Sequence, residues 1–268
     1  MKLFWLILFI FSFVIKQEPA AVNVYRVEHS DRLKIFAKNN NIFPVTIEVD
    51  FDTENLEPTR YLPYTGVLNS MDNENILDLK FSDIANGWNY ETTYKYYMGS
   101  IFAKHDDSFA YRLPFKKGKE YRLSQGFEGA YSHKGDLRYS LDFSLSLSDE
   151  IYAARGGVVV ALEESNDRGG SLVQYMEYAN YITILHDDGT FADYSHLMKN
   201  GVDVEIGQKV RMGQLIGFSG ATGYASGPHL HFVVKKTKKG GGYISIPIKF
   251  TTKDGIISLQ EGQSYLGY

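Results

Sequence analysis

Short runs in which apolar and polar residues alternate fill the first part of the chain. Loops rich in Asn, Asp and Pro separate these runs. Alternation over four to eight residues places every second side chain on one face of a β-strand. Short strands at this spacing, without a helical period, predict a small β-sandwich-like domain. The five runs are VNVYRV, LKIFAK, FPVTIEVDF, ILDLKF and YKYYMGSIF.

The pattern changes from Ser124 onward. Glycine becomes more frequent, and continuous apolar runs such as GGVVVAL and YITILH appear. Such runs are typical of strands buried on both faces. We therefore predict a mainly β protein, with a β-sandwich-like accessory domain over residues 22–115 and a second β-sheet domain over residues 116–268.

The first residues predict export. Lys2 is followed by LFWLILFIFSFVI, an uncharged and mostly apolar run that ends before Lys16. The run is short for a membrane span and is typical of a signal peptide. We expect a signal peptide over residues 1–21, with an uncleaved N-terminal anchor as the alternative. Either reading places the rest of the chain in the periplasm, in the cell envelope or outside the cell.

Composition restricts the chemistry. The chain has 44% hydrophobic and 22% charged residues, which is typical of a globular protein. Its net charge of −4 gives no electrostatic argument for nucleic-acid binding. Cysteine is absent, so disulfides, thiol catalysis and thiolate metal ligands are excluded. Any metal would have to be held by His, Asp or Glu side chains.

Two of the seven histidines lie one residue apart in the segment SGPHLHFVV. On a strand, His229 and His231 share a face, about 6.6 Å apart along the strand. Leu230 and Phe232 then face the opposite side, where they can pack in a core. The ordinary interpretation is a pair of surface histidines on a half-exposed strand. The functional one is a metal ligand beside a group that acts on water.

Two other segments supply further candidate ligands. YSHKGDLRYSLDFSL contains His133 together with Asp136 and Asp142, and FADYSHLM contains His196 after an apolar strand. Two histidines, one carboxylate and an open position form a known catalytic zinc arrangement. Zinc in such a site activates water and polarises a carbonyl.

These motifs resemble the lysostaphin-type, LytM-like zinc endopeptidases of bacterial cell walls, which have a duplicated hybrid motif β-fold. The resemblance covers roughly residues 124–234. It rests on the order of a His…Asp pair, a Tyr-x-His-Leu run and a final His-x-His. The neighbouring segments DFSLSLSDEIYAARGGVVV and VEIGQKVRMGQLIGFSGATGYASGPHLHF are also similar to the family.

The resemblance implies that His133, Asp142 and His231 bind Zn²⁺, with His196 and His229 as the catalytic pair. It implies an endopeptidase that hydrolyses peptidoglycan stem-peptide cross-links. Asp142 lies nine residues after His133, whereas the shorter form of the family has a spacing of four. Asp142 is favoured because an aromatic residue follows it, and Asp136 is the alternative.

Other interpretations lead to different functions. A non-enzymatic cell-wall scaffold or amidase activator would have a similar domain with lost ligands, whereas here every expected position is present. A further alternative is an autoinhibited enzyme, in which the first domain covers the groove until a regulatory partner moves it. An exported peptidase with another peptide substrate is also an alternative. No feature indicates an oligomeric state. His186 is expected to be structural. A hydroxyl group of Tyr131, Tyr139 or Tyr194 could help to stabilise the oxyanion, but most of the 20 tyrosines are expected to pack in the fold, so none is assigned to the site.

Overall fold

The computed structural model of the chain describes residues 22–268. The predicted signal peptide, residues 1–21, lies outside these residues. Strands dominate the described part, where the helices are two short 3-10 turns, Gly135–Leu137 and Val173–Tyr178. The prediction of a mainly β protein is therefore confirmed. No helix within residues 22–268 has the length and apolar character needed to cross a membrane.

The first seven strands form two antiparallel sheets, ordered β1-β2-β6-β4 and β5-β3-β7. Apolar side chains from both sheets, including Leu33, Ile47 and Leu79, form one buried cluster. Two sheets with a shared core are the arrangement of a small sandwich. The strands are β1 (Val22–Glu28), β2 (Arg32–Asn39), β3 (Val45–Glu54), β4 (Leu56–Pro58), β5 (Tyr64–Leu68), β6 (Asn73–Phe81) and β7 (Asn89–Met98).

The remaining strands surround a second buried cluster. The largest sheet has nine strands, with the main order β17-β12-β14-β15-β20-β10-β9-β24 and β21 paired to β20. The strands are β8 (Ala110–Arg112), β9 (Glu120–Gln125), β10 (Leu141–Ser144), β11 (Glu150–Tyr152), β12 (Gly157–Glu163), β13 (Gly169–Gly170), β14 (Tyr181–Leu185), β15 (Phe191–Ser195), β16 (Leu197–Val202), β17 (Lys209–Val210), β18 (Leu215–Ser219), β19 (Gly223–Tyr224), β20 (His229–Thr237), β21 (Tyr243–Ser245), β22 (Lys249–Thr252), β23 (Gly255–Ile257) and β24 (Ser264–Leu266).

Strand β20 lies in the middle of the nine-stranded sheet, between β10 and β15. Its His231 is paired with Asp142 on one side and with Ser195 on the other. Leu230 and Phe232 are fully buried, as the alternation of the sequence predicts. The pairing therefore places three sequence segments that carry candidate ligands next to one another.

The segment between the two cores belongs by its packing to the second one. Tyr111, Leu113 and Phe115 are fully buried in the second cluster, and β8 pairs in parallel with β22. The domain limits 22–115 and 116–268 stay a prediction. These contacts assign the chain from Ala110 onward to the second core.

Candidate metal centre and groove

The structure brings His133, Asp142 and His231 together. Their ligand atoms all lie within 4.8 Å of one another. Asp142 Oδ1 lies 3.2 Å from His133 Nε2 and 2.8 Å from His231 Nδ1. Asp136, the alternative ligand, is exposed and forms an ion pair with Lys238 instead. Of the two aspartates, Asp142 is therefore the one that lies beside His133 and His231.

His133 presents a nitrogen that suits a metal ion. Its ring is fully buried, and Nδ1 lies 2.8 Å from the Gly126 carbonyl oxygen. With Nδ1–H donating to that oxygen, the neutral ring keeps its lone pair on Nε2. Among the described residues, Nε2 is one of few buried polar atoms without a hydrogen-bond partner. A cation beside Asp142 would satisfy it, so the three side chains fit a metal site.

The electrostatics of Asp142 also suit a ligand. Burial raises the pKa of its carboxyl group, but the adjacent rings of His133 and His231 outweigh burial and hold the pKa well below its usual range. Asp142 is therefore ionised in the folded protein, as a metal-binding carboxylate must be.

His196 and His229 form a second pair beside these ligands. Their ring centroids are 4.5 Å apart, and the His196 ring lies 5.9 Å from the His231 ring. His196 Nδ1 faces the Thr222 carbonyl oxygen at 2.7 Å, and His229 Nδ1 faces the Gly227 carbonyl oxygen at 2.9 Å. Each neutral ring can therefore donate from Nδ1 and keep its lone pair on Nε2. Burial, followed by the neighbouring histidines, lowers the pKa of His196 to about 3.

A hydrogen-bond network fixes the backbone around His196, whose φ of +68° lies in the left-handed region. The Thr222 hydroxyl donates to the Leu197 carbonyl at 2.7 Å and accepts from the Asn180 backbone N–H at 3.0 Å. The Asn180 side chain also donates to the Leu197 carbonyl. A non-glycine residue with positive φ persists only where its surroundings hold it. Sequence reasoning missed Thr222, whose only signal was its place in a glycine-rich stretch.

Four of the five candidate residues border a groove of about 730 Å³, and the fifth, His133, is fully buried behind them. Tyr131 is 92% exposed and lines this groove. All lining residues come from the part of the chain between residues 124 and 231. They are Ser124, Gln125, Tyr131, Ser132, Leu137, Asp142, Ser144, Ser171, Met176, Ala179, Ser195, His196, Tyr224, Ser226, Gly227, Pro228, His229 and His231.

His186 lies apart from the groove and has a structural environment. Its ring is almost fully buried, and Nδ1 lies 2.9 Å from the Gly156 carbonyl oxygen. Nε2 has no partner among the described residues, so a protonated ring would bury an unsatisfied N–H. Burial accordingly lowers the pKa of His186 from 6.5 to about 4.

We expect His186 to make the fold sensitive to acid. Between pH 6.5 and 4, His186 binds a proton more strongly in the unfolded chain than in the folded protein. The stabilising contribution of the neutral His186 ring is therefore complete above pH 6.5 and is lost as the pH falls to 4. The pKa difference corresponds to about 3 kcal/mol. Urea unfolding of chelator-treated protein at pH 7 and pH 4 should show that His186→Asn loses less stability than the wild type. Equal losses in both proteins would contradict this role.

Comparison with known sequences gives the family of this site. Residues 136–242 match Peptidase family M23. The second part of the chain carries a peptidase family M23 domain. The matched stretch contains Asp142, His196, His229 and His231, and His133 precedes it by three residues. The family resemblance inferred from the sequence is therefore confirmed.

Two curated relatives and one solved structure illustrate the similarity of the M23 domain. Lysostaphin from Staphylococcus staphylolyticus is 34% identical over 133 residues, which cover 48% of this chain and 24% of that protein. Peptidoglycan DD-endopeptidase ShyA from Vibrio cholerae is 31% identical over 146 residues, which cover 53% of this chain and 31% of that protein. The solved structure of the catalytic domain of lysostaphin from Staphylococcus simulans is 30% identical, with a TM-score of 0.32. The match covers 43% of this chain and 78% of that one.

These two curated matches each cover about half of this chain. This chain spans less than a third of the length of either curated relative. The name of the Vibrio cholerae relative states that it is a peptidoglycan DD-endopeptidase.

Proposed function

We propose that this protein is an exported zinc metalloendopeptidase that hydrolyses peptide bonds in peptidoglycan cross-links. One observation carries the proposal: His133, Asp142 and His231 converge next to the His196–His229 pair. All of these residues except the buried His133 line one groove. Ligands, candidate acid–base groups and space for a peptide thus occur together. The proposed export of the protein rests on residues 1–21, and the proposed peptidoglycan substrate rests on the relatives of the M23 domain.

Zinc is the metal that this donor set favours. The set offers two imidazole nitrogens and one carboxylate, the ligand types that catalytic zinc sites use when cysteine is absent. Bound there, zinc would supply the Lewis acid that activates water and polarises a peptide carbonyl. His133 Nε2, Asp142 Oδ1 and His231 Nδ1 are the atoms that would hold it.

The histidine pair is arranged to move protons. With Nδ1–H donating to a backbone carbonyl, His196 and His229 each present Nε2 as a proton acceptor. One ring accepts a proton from the attacking water, and its new N–H then donates to the oxygen that gains negative charge. The same proton passes on to the leaving amine when the peptide bond breaks. The two carbonyl contacts fix the orientation of both rings throughout.

A digestion experiment tests the proposal. We expect the full chain to convert cross-linked muropeptide dimers of purified peptidoglycan to monomers, as detected by mass spectrometry. Treatment with a chelator should abolish the conversion, and stoichiometric zinc should restore it. Because the residues that would hold the metal form part of the buried centre, the same chelated sample should also melt at a lower temperature.

Two failures would have different meanings. A protein that contains zinc but leaves every cross-link intact would contradict the peptidoglycan substrate and favour another peptide. A protein that neither binds zinc nor cleaves would contradict the enzyme itself and favour the scaffold alternative.

A further inference from the structure

We propose that Gln125 is a positioning residue that orients the Asp142 carboxylate toward the metal and ties it to the loop of His133. This inference rests on the proposed zinc site and adds a residue outside the ligand and histidine sets. Gln125 is the last residue of β9 and is only 5% exposed.

The two carboxylate oxygens of Asp142 have different partners. Oδ1 faces the two candidate histidine ligands, whereas Oδ2 accepts a hydrogen bond of 2.8 Å from Gln125 Nε2. A carboxylate held at only one oxygen can rotate about its last bond. The amide at Oδ2 stops that rotation and leaves Oδ1 directed at His133 and His231.

The same amide group holds the loop that carries His133. Gln125 Oε1 accepts from the Tyr131 backbone N–H at 2.9 Å and from that of Ser132 at 3.3 Å. Its Nε2 also donates to the Ser132 hydroxyl at 2.9 Å. One buried side chain therefore links a candidate ligand on β10 to the residues just before the ligand His133.

The local backbone is shaped around this side chain. Gln125 and Asp142 are paired across β9 and β10, and the register shifts directly after Asp142. A Cβ at Gly129 would lie 2.3 Å from Gln125 Cγ, so the loop passes too close for any larger residue. A glycine at position 129 therefore lets the loop pass next to the Gln125 side chain.

A neutral amide has an advantage here over a cation. Lys or Arg beside Oδ2 would offset the charge that makes the carboxylate a good ligand. Gln125 donates a hydrogen bond without adding positive charge, so Asp142 keeps its full negative charge for the metal. Partners of this kind change metal affinity typically 10–100-fold when they are lost.

The test measures zinc affinity in the full chain by competition with a chromophoric chelator. Gln125→Met keeps the length of the side chain but removes its hydrogen bonds, and we expect it to raise the zinc dissociation constant about 10–100-fold. Asn39→Leu is the matched control. Asn39 is a fully buried amide in the first core that donates to the Phe43 and Asn69 carbonyls. Its loss should lower thermal stability and leave the zinc dissociation constant unchanged.

A double-mutant cycle separates positioning from loop support. If Gln125 acts through the carboxylate, Gln125→Met should change zinc affinity by less than about a factor of two when Asp142 is already alanine. An equal loss in both backgrounds would show that Gln125 only supports the loop, and would overturn the inference. The inference would also be overturned if the wild type bound zinc tightly and Gln125→Met had the same zinc affinity. A wild type that binds no zinc would instead overturn the proposed function, and this inference with it.

Discussion

Replacing His231 with alanine is expected to weaken zinc binding by more than about 100-fold, beyond the range for residues that only support a ligand. The change removes one of three candidate donors from a centre where Asp142 Oδ1 lies 2.8 Å from His231 Nδ1. Within the cluster of three residues, the buried Asp142 carboxylate would then have only His133 beside it. Zinc content by mass spectrometry and the dissociation constant by chelator competition measure the effect.

His29→Ala is the control for the loss of a histidine. His29 is exposed and lies in the first part of the chain, just after β1. Its removal should leave zinc content and affinity at the wild-type values. If His231→Ala kept a full complement of tightly bound zinc, the ligand assignment would be wrong, even with the three side chains clustered.

The sequence predicted the elements of the first part where alternation was long enough to be clear. All five alternating runs overlap strands β1, β2, β3, β6 and β7, although the last run extends four residues beyond the end of β7. Strands β4 and β5 were missed because they are short and contain residues that usually mark turns, Pro58 and Gly66. Propensity alone does not distinguish such segments from loops.

The candidate site was predictable in its residue types but not in its contacts. The i, i+2 pattern of His229 and His231 follows from strand geometry, and the family resemblance implied the roles of the other three residues. The hydrogen bonds that orient them depend on strand register and loop shape. Gln125 lies 17 positions from Asp142, and Thr222 lies 26 positions from His196, so no local pattern connects them. Roles for these residues appear only once β9, β10 and the loops around β16 and β19 are placed.

The second large effect is expected for His229→Ala, which should lower kcat by a factor of about 10²–10⁴. His229 is not among the three residues whose ligand atoms converge, and its Nδ1 is occupied by the Gly227 carbonyl. Its removal takes away one of the two groups able to accept a proton from water, while His133, Asp142 and His231 remain. We therefore expect zinc affinity to stay close to that of the wild type. Muropeptide release measures kcat, and chelator competition measures the affinity.

Comparison of His229→Ala with His231→Ala separates the two neighbours on β20. The rings project from the same face of one strand, so a general disturbance of β20 would affect both variants in the same way. Divided roles instead predict that one variant loses zinc and activity together, while the other loses activity alone. If His229→Ala lost zinc and His231→Ala retained it, the ligand and the proton-transfer roles would have to be exchanged. If both retained zinc, His196 would become the candidate third ligand, since its ring lies next to both histidines.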